Sequence, residues 1–189
     1  MSIDKTPLPN SPLSDLSPSI QHAIFTHRQT FTAPKGHSLL DASEPWRHVY
    51  WLHSGVVRMY YLDTYGREHN KRFFLANDFF WPVTTGLRTQ EAGFYIQALS
   101  DIHCDRWEYS AFRSAFAEST DWLIFSHLWL ERLTDSKLAR ERDWLHLSAA
   151  ERYQKLCDEA PNLIDQVPAH HIASYLGITP VSLSRIKNS

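Results

Sequence analysis

Asp101, His103 and Asp105 alternate along a β-prone stretch. Alternation puts the two carboxylates and the imidazole on one strand face, with Ile102 and Cys104 on the other. The chemistry open to such a trio is metal binding or hydrolysis. Three ligands from one short strand rarely converge on an ion, however, so the expected role is a solvated face over a buried Ile and Cys. His170 and His171 are adjacent on a predicted helix and do not face one ion. Cys104 and Cys157 stand far apart without a Cys-x-x-Cys pair. That argues against a four-cysteine iron–sulfur cluster and against a disulfide framework. No Gly-x-Ser-x-Gly, His-Glu-x-x-His or Gly-rich phosphate loop is present. No cofactor and no metal is expected, and the chain reads as a non-enzyme.

The segment "PAHHIASYLGITPVSLSRIKNS" offers a different chemistry, recognition of a polyanion. The last acidic residue is Asp165, and beyond it lie His170, His171, Arg185 and Lys187. A first helix is predicted from about Ala169 to Leu176. Gly177 then stands where the chain must turn through positive φ. Ala173 is small enough for a second helix to cross closely. Ile172, Leu176, Ile178, Leu183 and Ile186 are apolar at the spacings that hold two short helices at a steep angle. Thr179 is placed to cap the second helix and Pro180 to occupy its first position. Val181, Ser182, Ser184, Arg185, Lys187 and Asn188 are then expected outward. Arg185 suits a guanine edge, Ser182 and Ser184 suit a phosphate or a base, and Val181 suits a thymine methyl. Thr179, His170 and Lys187 suit phosphates. The competing reading is an ordinary helical hairpin with a glycine cap.

These residues need a scaffold. The chain has 189 residues, 43% hydrophobic and 13% aromatic, with a net charge of -2. That allows one sizeable core and excludes a basic nucleic-acid coat. "MSIDKTPLPNSPLSDLSP" reads as a loose tail, residues 1–18, with a short helix after it at "SIQHAIFTH". From about Thr30, runs rich in Val, Tyr and Trp recur at roughly ten-residue spacing, with turns at Ser54-Gly55 and Tyr65-Gly66. They predict a small antiparallel roll over residues 19–117. "SAFRSAF" reads as a short helix. A long helix follows over 118–145, with Ser119 and Thr120 as plausible caps. Trp122, Phe125, Trp129 and Leu133 form a seam along it. The seam either packs on the roll or meets its own copy in a parallel homodimer, the reading preferred here. Ser148 and Glu151 form a capping box that opens the last region, 146–189. Pro161 is expected to end that helix, and "NLIDQV" to form a turn or short helix.

This order of elements resembles the Crp–Fnr family of bacterial transcription regulators, the catabolite-activator type. The likeness rests on "HSGVVRMYYLDTYGREHNKRFFLANDFF", "LSAAERY" and "HIASYLGITPVSLSRI". It implies an α+β fold: a jelly-roll-like, cyclic-nucleotide-binding-like antiparallel roll, a long dimerisation helix, and a C-terminal helix-turn-helix on double-stranded DNA. The departures are specific. Where the family's cyclic AMP cassette has Gly-Glu, this chain has Trp81-Pro82, and Ala92-Gly93 stand where Arg-Ser would be. An uncompensated buried phosphate is costly, so cyclic AMP binding in the family manner is not expected. Arg88 could substitute only if the loop is shifted. Phe79, Phe80, Trp81, Phe94 and Tyr95 suggest an aromatic-filled pocket, either a packed core or the site of an unknown small apolar effector, with Phe79, Trp81, Pro82, Arg88, Ala92 and Gly93 as its candidate lining. Val181 replaces the family's frequent acid, and no wing is expected after the second helix.

The expectation is a cytoplasmic, homodimeric regulator on a near-palindromic operator, with no membrane partner. The alternatives are a ligand-binding or scaffolding roll that no longer binds DNA, and a hydrolase using Asp101, His103 and Asp105.

Overall fold

The computed structural model describes residues 13–117 and 120–188. Helix α1 (Pro18–Thr26) precedes β1 (Gln29–Ala33), β2 (Ser38–Leu40), β3 (His48–Ser54), β4 (Val57–Leu62), β5 (Glu68–Phe74) and β6 (Phe79–Phe80). Then come α2 (Thr85–Thr89), β7 (Tyr95–Ala98), β8 (Ile102–Glu108) and α3 (Tyr109–Ser114). The rest is helical: α4 (Thr120–His146), α5 (Ala149–Glu159), α6 (Pro161–Gln166), α7 (Ala169–Leu176) and α8 (Pro180–Lys187). The fold is α+β, as expected.

Two four-stranded antiparallel sheets form the roll, in the orders β1-β8-β3-β6 and β2-β7-β4-β5. The chain crosses between them at Gly55, whose φ is +91°, and a Cβ there would lie 2.3 Å from the Asp101 carbonyl oxygen. Only glycine fits that crossing. The turn expected at Tyr65-Gly66 is the tip of the β4–β5 hairpin, where the Asp63 carboxylate accepts from the Tyr65 and Arg67 amides in an Asx turn.

Strands β3 and β6 of the first sheet are buried on both faces, so they read as continuous apolar runs instead of alternating ones. Tyr50, Leu52, Phe80, Ile102 and Cys104 point into the roll. Val49, Trp51, Phe79 and Trp107 point the other way, into a helix-side core closed by α1, α3 and the first half of α4. The Trp107 indole N–H donates to the Ile24 carbonyl at 2.9 Å and ties α1 down. Leu13 is 1% exposed in the same core. The loose lead-in therefore ends before it; the remainder of that predicted tail, 1–12, lies outside the described residues, as does Ser119.

This helix-side core also takes the aromatic half of the long helix. Phe125 is buried among Phe79, Trp81, Phe112 and Phe116, and Trp122 and Trp129 pack beside it. Of the four residues read as a dimer seam, three thus cover the chain's own roll, and Leu133 is half-buried. The face of α4 left to solvent carries Leu123, Ile124, Leu128, Leu138 and Leu145 instead. Further on, the Ser148 hydroxyl accepts from the Glu151 amide and the Glu151 carboxylate from the Ser148 amide, completing the capping box. Pro161 opens α6 in its first turn, the "NLIDQV" segment being helical.

Truncating Phe125 removes the ring on which these aromatics converge. Phe125→Ala should lower unfolding free energy by about 3–5 kcal/mol in urea titration; a loss below about 1 kcal/mol would show that α4 does not close this core.

Candidate nucleic-acid interface and its clasp to the roll

The last two helices form the expected helix-turn-helix. Ile172, Ala173, Leu176 and Leu183 are buried, and Ile178 packs beside them. Gly177 has φ +69°. A Cβ on it would stand 2.1 Å from the Trp144 indole, so the residue is fixed by close approach as well as by conformation. Thr179 caps α8: its hydroxyl oxygen accepts from the Ser182 amide at 3.1 Å, and the two hydroxyls pair at 2.9 Å. Val181, Ser184, Arg185, Lys187 and Asn188 lie exposed on α8, while Ser182 is half-buried. The Lys187 ammonium sits 5.8 Å from the Tyr153 ring on α5. His170 is exposed on α7, its ring tilted against that of His171 with centroids 4.0 Å apart.

Sequence reasoning missed how this pair of helices is held. The head and the roll share a core: Val56 and Phe73 pack with Leu163, Val167, Ile172 and Leu176. Above it lies a buried polar clasp. Arg58 on β4 is 4% exposed. Its guanidinium makes a bidentate pair with Glu68 on β5, one arm at 2.7 Å, and donates to the Gln97 side chain on β7 at 2.7 and 3.1 Å. It also rides 3.9 Å over the Tyr60 ring. The remaining N–H reaches His171 Nδ1 on α7 at 3.1 Å, and the Asn70 amide reaches the same atom at 3.3 Å. Two donors on Nδ1 assign the ring proton to Nε2. One turn further, the Ser174 hydroxyl donates to the Glu68 carbonyl at 2.8 Å and accepts from the Asn70 amide at 3.0 Å.

A second set of contacts fixes α4 to the head. Arg140 donates to the Lys71 and Tyr175 carbonyls at 2.5 and 3.1 Å and stacks on Tyr175. Arg152 stacks 4.4 Å from the Trp144 ring and donates to the Leu147 carbonyl at 2.7 Å. Lys155 pairs with Asp143 at 2.5 Å across the α4–α5 bend.

The residues proposed for an effector pocket separate. Phe79 and Trp81 face the helix-side core, because strand alternation turns Phe80 inward in their place. Arg88 donates to the Pro82 carbonyl at 2.8 Å and to Thr85 at 2.9 Å, and lies 4.7 Å over Tyr109. These contacts tie the guanidinium to its own loop and to Tyr109. Ala92 packs against the roll interior, and the Gly93 amide donates to the Ala42 carbonyl. The interior itself is occupied by rings: Phe80 stacks on Phe74 at 4.1 Å and on Tyr50 at 5.2 Å, with Trp46 and Phe94 edge-on beside them.

The Asp101–Asp105 stretch also departs from expectation. Asp105 is 3% exposed instead of solvated, bonded by His53 at 3.0 Å and approached by Arg28 at 3.5 Å. Asp101 accepts from the Lys35 amide at 2.9 Å. Burial pushes the Cys104 thiol up to about 12, so it is inert. Among the described residues no group of three or more His, Cys, Asp or Glu is placed to hold a metal ion.

An antiparallel roll, a long helix and a helix-turn-helix head make up the fold of the Crp–Fnr regulators. Residues 30–119 match the family model of the cyclic nucleotide-binding domain. Among solved structures, FixK2 from Bradyrhizobium japonicum is 22% identical, with TM-score 0.68 over 85% of this chain and 83% of its own. A CooA mutant from Carboxydothermus hydrogenoformans is 20% identical, with TM-score 0.65 over 87% and 77%. The Thermus thermophilus catabolite activator protein is 18% identical, with TM-score 0.55 over 94% and 85%. No curated protein matches the sequence. No helix among the described residues is long and apolar enough to cross a membrane.

Burial, with Arg58 beside it, holds the His171 imidazole down to about 4, against an ordinary value of 6.5. The unfolded chain therefore takes this proton at higher pH than the folded one. The contribution of neutral His171 is complete above about pH 6.5 and is lost as pH falls toward 4. Unfolding free energy should fall more steeply across that window for the unmodified chain than for His171→Gln; equal slopes would remove His171 from the clasp.

Proposed function

We propose that this protein is a homodimeric, DNA-binding transcription regulator reading a near-palindromic operator. The observation that carries the reading is the face of α8: Val181, Ser184, Arg185, Lys187 and Asn188 stand exposed on a capped helix whose inner side is locked by Gly177 and Ala173. Residues 166–189 carry no acid to oppose a phosphate backbone. One short helix offers few contacts, so two heads on adjacent half-sites, about 34 Å apart, are needed for useful affinity.

The pairing surface is the free face of α4. Ile124, Leu138 and Leu145 recur at multiples of seven residues and are exposed in one protomer. The aromatic side of the same helix is already committed to the roll. No cyclic AMP is bound in the family manner, because the roll interior is filled by Tyr50, Phe74, Phe80 and Phe94. Any effector is a small molecule that displaces some of these rings or docks elsewhere. The protein works in the cytoplasm and catalyses no reaction.

The test is a titration of duplex DNA across salt concentrations, with stoichiometry from sedimentation. The logarithm of affinity should fall linearly with log salt, by about 0.9 per phosphate neutralised, with two chains per duplex, and Leu138→Asp should leave monomers that bind far more weakly. An affinity that does not change with salt would favour the roll as a scaffold without DNA.

A further inference from the structure

The apolar series on the free face of α4 has one interruption. Ile124, Leu138 and Leu145 stand at steps of fourteen and seven residues, and the position that completes the series holds Glu131. His127 lies three residues after Ile124 and four before Glu131, which is the spacing of a helix-pairing seam. Both side chains are exposed in the single chain.

In a parallel two-fold pairing through this face, each seam residue meets its own copy. Ile124 then packs on Ile124 and Leu138 on Leu138. Between those layers the pairing brings together two Glu131 carboxylates and two His127 imidazoles. Carboxylates withdrawn from water side by side are unfavourable without a countercharge. The neighbouring seam positions, Ile124, Thr134 and Leu138, supply none. Arg132, the next residue along, leans instead on the Trp129 ring, on the side committed to the roll.

The two side chains are already spaced for a cation. His127 Nε2 stands 3.3 Å from Glu131 Oε1. Zinc binds an imidazole nitrogen and a carboxylate oxygen at about 2.0–2.2 Å, so two such ligands at a tetrahedral angle lie about 3.4 Å apart. One helix therefore presents half of a tetrahedral site. It cannot complete one alone, since no group of three or more His, Cys, Asp or Glu among the described residues is placed to hold an ion.

We propose that the α4 seam holds a zinc-class divalent cation, ligated by His127 and Glu131 of both copies. This rests on the pairing surface proposed above and names what neutralises its one acidic layer. Mixed imidazole and carboxylate donors suit zinc, whereas magnesium and calcium take oxygen alone. The site exists only in the dimer, so metal binding and pairing are one linked equilibrium. It also fixes register, because a slipped pairing would set Glu131 against a leucine.

The experiment is sedimentation of the EDTA-stripped full chain over a range of concentrations, with zinc chloride added stepwise. The dimer should tighten about tenfold when free zinc reaches ten times the site's dissociation constant, with one zinc per two chains. Cobalt(II) in its place should show the intense visible absorption of a tetrahedral ion. His127→Ala should lose both responses while keeping the circular dichroism of the unmodified chain. Glu131→Leu should ignore zinc and, freed of its facing carboxylates, dimerise more tightly than the unmodified chain without metal. A dimer indifferent to zinc, one zinc per chain, a response that survives in both variants, or a Glu131→Leu dimer weaker than the metal-free original overturns the site while the pairing stands. A chain that stays monomeric at every concentration, with and without zinc, overturns the pairing surface and this inference together.

Discussion

A guanidinium cannot be taken out of water without a counter-charge and partners for its N–H groups, and Arg58 is almost wholly out of water. That constraint organises the junction. Glu68 supplies the charge from the neighbouring strand, Gln97 takes two N–H groups from the other side, and one N–H remains. It is met by His171, a residue of the head. The first helix of the helix-turn-helix is therefore part of how the roll satisfies its own buried charge. Removing the head would strand that donor, and removing Arg58 would leave His171 Nδ1 with Asn70 alone and take the shared donor from Glu68 and Gln97.

The clasp also places the head on a wall of the roll. Val57 and Met59 point from β4 into the roll interior, and Arg58 between them points to the head. The interior is a stack of rings, and close-packed cores respond to insertion by shifting whole elements. A change in the packing of Phe74 or Phe80 would reach α7 through one strand. On the other side, Trp144 seated against Gly177 and Arg140 bridging Lys71 and Tyr175 couple the same head to α4. The outward face of α8 is thus aimed by three elements at once.

Much of this was legible in the sequence, wherever the signal was local. The capping box at Ser148, the left-handed turn at Gly177, the Thr179 cap and the turn glycines of the roll each follow from one residue's conformational or hydrogen-bonding limits. What escaped was parity and partnership. Phe79 and Trp81 look like pocket residues until the register with β3 shows that Phe80 is the inward one. The seam of α4 was visible, but an aromatic stripe does not say whether a sheet or a second helix covers it, and here the outer face of the first sheet does. Asp105 looked solvated because its partners, Arg28 and His53, come from other elements. The clasp joins residues more than a hundred positions apart, and nothing in the local pattern of "VVRMYY" announces a buried arginine.

The central claim is that head and roll form one unit through Arg58 and His171. Amide hydrogen exchange of the unmodified chain and Arg58→Met tests it directly. If the clasp holds the head, the amides of residues 172–176 lose protection in the variant while those of β3 and β8 keep theirs. Unchanged protection across α7 would contradict the account, because the head would then be held by its apolar contacts alone.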